Sequence, residues 1–209
     1  RQQILDEFPG DGILGEEFPE HPGSTGYRWI LDPIDGTKSF ISGVPLYGTL
    51  VAVEHDGQNV VGVIDIPALD EHIYAEVGQG AWYARGSDQV KRARVASTEH
   101  LREGLLLTSE LDGWVGRGTI EQLNQLAQIA WFTRTWGDCY GYLLVATGRA
   151  LAMIDPAMKL WDAAALQPIV EEAGGTFTDW QGTPTVHSGE GIATNGRVLD
   201  EILSVTRDI

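Results

Sequence analysis

Two runs rich in valine, isoleucine and leucine, Gly48 to Glu54 and Asn59 to Ile66, stand on either side of His55-Asp56-Gly57. An Asp-Gly pair between apolar runs is a tight-turn signal, so these segments predict an antiparallel hairpin. Glu71 to Glu76 and Gly80 to Arg85 read as two more strands. Tyr27 to Leu31 reads as a strand running into Asp32-Pro33, where the missing donor of proline is expected to stop the ladder, with a short helix after Gly36. Residues 1–90 are therefore expected to be mainly antiparallel sheet.

Residues 91–209 alternate. Ala93 to Ala96, Leu105 to Thr108, Leu151 to Ile154, Thr176 to Trp180 and Gly191 to Thr194 read as strands. Thr119 to Ala130 carries Ile120, Leu123, Leu126 and Ala127 on one helical face. Tyr140 to Thr147 reads as a helix ended by Gly148, and Val198 to Val205 as a last helix. Asp162 to Ala173 has a long aliphatic stripe closed by Gly174-Gly175, the pattern of a helix and its stop. The order predicts a layered α/β (α+β) sandwich. No linker composition divides it, so residues 1–209 are expected to form one domain.

Thirty acidic against fourteen basic side chains give a net charge of −16. Such a field repels phosphodiester backbones and argues against a nucleic-acid partner. The most apolar stretch, Gly141 to Ile154, is broken by Arg149 and is shorter than the ~20 residues of a membrane span. With no secretory leader pattern and Cys139 as the single cysteine, a cytoplasmic location is expected. If some of the carboxylates converge on cations, the ions reverse the local sign and an anionic substrate becomes acceptable.

Asp32-Pro33-Ile34-Asp35-Gly36-Thr37 is the segment best suited to do so. A turn can fold the Asp35 carboxylate back beside that of Asp32, and the helix start at Thr37 would expose unpaired N–H groups to an anion. Hard oxygen ligands beside a phosphate cradle suit Mg²⁺. Taken alone, the hexapeptide reads slightly better as a common Asp-Pro turn with Asp35 capping a helix. Glu16, after Ile13-Leu14, lies at a strand end, and Asp162 lies at or near a helix N-cap. Other phosphatase chemistries fit less well. The aspartates stand at i and i+3 rather than i and i+2, the residue six after Cys139 is Val145 rather than arginine, and the five histidines show no zinc spacing.

Gly15-Glu16-Glu17, Trp29-Ile30-Leu31-Asp32-Pro33-Ile34-Asp35-Gly36-Thr37, and Trp161-Asp162 followed by Glu172-Ala173-Gly174-Gly175 together resemble the inositol monophosphatase family. The resemblance implies a five-layered αβαβα sandwich, shared with fructose-1,6-bisphosphatase, and Mg²⁺-dependent, Li⁺-sensitive hydrolysis of small phosphate monoesters. It makes Glu16, Asp32, Asp35, Asp162 and the Ile34 carbonyl ligands for roughly two or three metal ions. Gly36 and Thr37 would hold phosphate through their N–H groups. The Thr37 hydroxyl, with Glu16 and Asp35, would act on the attacking water. A homodimer is a further expectation from the family. Its members place a pair of helices, with an acid that helps activate water, ahead of the Gly-Glu-Glu strand. Fourteen residues precede Gly15, so those helices are expected to be lacking.

Within the family, Thr37 to Pro45 and Arg134 to Tyr142 resemble the histidinol-phosphate phosphatase branch, which belongs to histidine biosynthesis. Asp138 and Asp155 could then pair with the cations of L-histidinol phosphate. Asp138 reads equally as an N-cap before Tyr140. Inositol-1-monophosphatase or another sugar or nucleotide phosphatase is the alternative activity. An impaired metal- and phosphate-binding module is the non-enzymatic one.

Overall fold

The structure, a computed structural model, describes residues 1–207. Its first sheet has seven strands in sequence order: β1 (Gly12–Gly15), β2 (Tyr27–Asp35), β3 (Gly48–His55), β4 (Gln58–Ile66), β5 (Glu71–Glu76), β6 (Gly80–Arg85) and β7 (Lys91–Arg92). All neighbours are antiparallel except β1 and β2. The β3–β4 loop is Asp56-Gly57, both at positive φ (49° and 82°), as a two-residue type I′ hairpin requires.

The second sheet has five strands. These are β8 (Leu105–Thr108), β9 (Phe132–Arg134), β10 (Ala152–Asp155), β11 (Thr176–Thr178) and β12 (Gly191–Thr194), in the order β11-β12-β10-β8-β9. It is mixed: β8 runs parallel to β9 and β10, whereas β12 is antiparallel to β10 and β11.

Between the sheets lie α5 (Cys139–Ala146), α6 (Leu160–Ala163) and α7 (Leu166–Glu172). Every α5 residue except Tyr140 is buried, because both sheets press on it. On the far side of the second sheet, α3 (Leu111–Gly116), α4 (Ile120–Ile129) and α8 (Leu199–Thr206) close a separate apolar cluster around Trp114 and Trp180. The layers thus run sheet, helix, sheet, helix: an α/β sandwich. The outer helical layer expected on the first sheet is represented among the described residues by α1 (Gln2–Glu7), near which Phe8 packs on Trp29. α2 (Thr37–Ile41) follows the Asp-Pro segment, as expected.

Three elements differ from what their sequence predicts. Pro33 does not end β2. The strand continues to Asp35, and its pairing slips by one residue between Asp32↔Leu50 and Asp35↔Gly48, a bulge that accommodates the missing donor. The helix expected over Asp162 to Ala173 is two helices, because Pro168 lacks an N–H and crowds the carbonyl of Ala164; the helix restarts at Leu166 with proline in its first turn. Ala93 to Ala96 forms no strand, since the Val95 N–H goes to the Ala173 carbonyl at the end of α7.

Gly62 on β4 lets α7 approach. A Cβ there would lie 2.2 Å from the Ala165 carbonyl and 3.0 Å from Pro168. Gly62→Ala is expected to destabilise the protein by about 1–3 kcal/mol, as overpacking does. A thermal melt followed by circular dichroism should fall by several degrees; an unchanged midpoint would show that α7 is free to shift.

Candidate active site

The bulge on β2 brings the carboxylates of Asp32 and Asp35 to one side of the strand, and α6 delivers Asp162 from the inter-sheet layer. One oxygen from each of the three lies within 4.8 Å of the others. Glu16, just past β1, joins them in an open cleft of about 680 Å³ that also takes in Ile34, Gly36, Thr37 and Asp138. Eight of the nine residues singled out from the sequence therefore share one cleft.

Each acid is held by specific bonds. The Ile34 N–H donates to Asp32 Oδ1 at 3.0 Å, and the Thr37 hydroxyl donates to the Ile34 carbonyl at 3.1 Å. Asp162 is the third residue of α6 rather than its cap, and its Oδ2 accepts the Lys159 N–H at 2.7 Å. Asp35 does cap a helix, but a distant one: its Oδ2 accepts the N–H of Cys139, the first residue of α5, at 2.6 Å. The N-cap of α2 is Gly36 at φ 80°, where a Cβ would lie 2.9 Å from Asp138 Oδ2.

Gathering acids in a half-dry site raises their proton affinity. Burial, then the charges of Glu16 and Asp162, push Asp32 up to about 7. Burial and the charge of Asp138 hold Asp35 well above the carboxylate range, partly offset by the hydrogen bonds from Cys139. Asp162 and Asp138 are raised as well, burial being the main cause for each. Four oxygen-donor acids that repel one another match a hard divalent cation, whose charge removes the repulsion, and the donor set contains no soft ligand. The residues fit Mg²⁺.

Asp155 stands apart. It is buried on β10 and lines a smaller recess with Asp35, Asp138 and Tyr142. Its Oδ1 accepts from the Ser109 hydroxyl and its Oδ2 from the Tyr142 hydroxyl at 2.8 Å. Burial, partly offset by those bonds, raises Asp155 to about 7.

Asp138 occupies the N-cap position of α5, yet its side chain makes no capping bond. Its backbone, at φ 54° and ψ −156°, lies in a region that only glycine enters freely, at a cost of about 1–3 kcal/mol. The cleft also includes Ser109, Glu110 and Trp136, and Lys38 on its rim pairs with Glu110. Glu110 and Ser109 carry no sequence signal, and nothing in the chain order foretells that Cys139 would donate to Asp35.

A model of the inositol monophosphatase family matches residues 1–209. The chain belongs to this family. It is 46% identical over 199 residues to a histidinol-phosphatase of Chlorobaculum parvum, covering 95% of this chain and 75% of that one. A histidinol-phosphatase of Mycobacterium tuberculosis is 41% identical over 204 residues, covering 98% and 78%. Among solved structures, the Thermotoga maritima IMPase superposes with a TM-score of 0.88 at 30% identity, covering 99% of this chain and 78% of that one. The extragenic suppressor protein suhB of Bartonella henselae gives 0.89 at 29% identity, covering 99% and 80%. This family member is a phosphoric monoester hydrolase. The family is metal-dependent, and the spacing of Asp32, Asp35 and Asp162 is one that could hold a metal ion.

Proposed function

We propose that the protein hydrolyses L-histidinol phosphate to L-histidinol and phosphate with Mg²⁺ held by Glu16, Asp32, Asp35, Asp162 and the Ile34 carbonyl. The reading is supported by the names of the relatives at 40–46% identity and carried by one observation, the strained Asp138. A conformation that costs stability is retained where function over-determines it. Here it holds an uncapped carboxylate beside Gly36, on the wall where the organic part of a phosphate ester would extend.

When bound, the cations neutralise phosphoryl oxygens and lower the pKa of a water. The remaining work falls to the chain. Gly36 and Thr37 open α2 with N–H groups that have no intrahelical partner and can receive phosphate oxygens. The Thr37 hydroxyl, held on the Ile34 carbonyl, keeps lone pairs to orient the attacking water, with Glu16 and Asp35 as the adjacent acids. Asp138 pairs with a cationic group of the substrate. Asp155, held by Ser109 and Tyr142, lines the inner recess and receives a substrate donor that reaches it.

Asp138→Gly tests the substrate assignment without steric cost at φ 54°. Loss of a charge-assisted bond should lower kcat/KM on histidinol phosphate about 10- to 100-fold. Inositol 1-phosphate, which lacks the cations, should change by less than about threefold. Equal losses on both substrates would sink the assignment and favour the inositol-phosphatase reading.

A further inference from the structure

Away from the acidic cleft, β7 and the chain after it face the loop that follows α5 across a cavity of about 310 Å³. Among the described residues, its walls carry Lys91, Arg92, Arg94 and Arg149 and no carboxylate. Four of the fourteen basic residues thus converge on one concavity in a chain of net charge −16.

The cations are seated mainly by aromatic faces and backbone. Lys91 Nζ and Arg149 Cζ lie 5.3 and 5.4 Å from the centre of the Tyr83 ring, and Arg92 Cζ lies 5.4 Å from that of Trp82. Arg92 also donates to the Gln79 carbonyl at 3.2 Å, and it lies across Gly80 where a Cβ would be 2.0 Å from Cζ. Buried Glu71 accepts from Arg149 at 2.7 Å and from the Tyr83 hydroxyl at 2.9 Å. The nearby Glu172 gives its two oxygens to the N–H groups of Gly78 and Gly80. Among the described residues, Lys91, Arg92 and Arg94 have no carboxylate within ion-pair distance, so one of the four charges is offset and three are not.

We propose that this cavity is a binding site for a small multivalent oxyanion of the phosphate type, separate from the active centre. Three uncompensated cations on a concave, partly aromatic wall match the charge and size of such a ligand, and guanidinium forks match its oxygens. The cations converge in a pocket instead of spreading along a stripe, and the chain as a whole is strongly acidic, which argues against a nucleic-acid backbone.

Metal-free protein isolates this site, because an active centre of four carboxylates without cations repels anions. Protein stripped over a chelating resin should bind inorganic phosphate by calorimetry and gain thermal stability, whereas chloride at equal ionic strength should add nothing comparable. Arg92→Gln combined with Arg94→Gln should weaken that binding at least about tenfold, the loss expected for charge-assisted bonds. Arg94→Gln alone, at an exposed position with no structural partner, provides a folded control expected to weaken binding in the same direction. Asp35→Asn should leave it unchanged. Absence of phosphate binding, equal binding by the arginine variants, or its loss in Asp35→Asn would each overturn the site.

Discussion

Replacing Asp35 with asparagine is expected to lower metal-dependent phosphate release by more than about a hundredfold, since even groups that only support a metal ligand contribute up to that much. The substitution is close to isosteric, and the amide oxygen can still accept the Cys139 N–H that Asp35 receives at 2.6 Å. What is lost is a charge in a site where Asp32, Asp138 and Asp35 repel one another. The metal-free variant should therefore melt no lower than the metal-free parent, which separates a chemical loss from unfolding. Turnover close to the parent's on any phosphomonoester would mean that Asp35 is only the cap of α5. The acidic cluster would then not be the centre of the reaction.

Removing divalent cations should make stability fall as pH rises. Asp32 and Asp155 hold their protons up to about 7 in the folded protein, against 3.8 ordinarily. Between those values the folded chain binds more protons than the unfolded one, so stability declines with pH. Their contribution is complete below about pH 4 and is lost as pH passes through about 7. The metal-free melting temperature should accordingly drop between about pH 5 and about pH 8.

Mg²⁺ should reverse the Asp32 share of that drop, because its ligands must be ionised to bind it. At a hundredfold excess over Kd the gain is about 2.7 kcal/mol, or about 5–10 °C for a chain of this size. The gain should be larger at pH 8 than at pH 5. The Asp155 share should persist, since Ser109 and Tyr142, not the acid cluster, hold that carboxylate. Calorimetry with and without Mg²⁺ at the two pH values reads both effects. A flat metal-free profile, or an equal Mg²⁺ shift at both pH values, would contradict the raised proton affinities.

The first sheet was legible because its signals are local. Alternating apolar runs and an Asp-Gly turn define β3 to β6 within a residue, and the turn requires the positive φ seen at Asp56 and Gly57. Elements of three to six residues, α1, α3 and β9, escaped because periodicity needs a longer window. The split between α6 and α7 was written in Pro168, yet the aliphatic stripe around it outweighed a single residue. For the site, the residue types and the pairing of Asp32 with Asp35 were readable, although a bulge inside β2 rather than a turn brings the two together. That Glu16 and Asp162 would join them came from resemblance, since no local rule relates positions that far apart. The backbone strain at Asp138 and the service of Asp35 to α5 depend on contacts across the inter-sheet layer. They have no linear signature.

In a regular ribbon, an odd interval between two residues sends their side chains to opposite sides. Asp32 and Asp35 are separated by such an interval and yet act together, because the pairing with β3 slips by one step between them. The acid pair is thus encoded as a phase shift rather than a composition. The same hexapeptide on an unslipped ladder would point its two charges apart with every acid still in place.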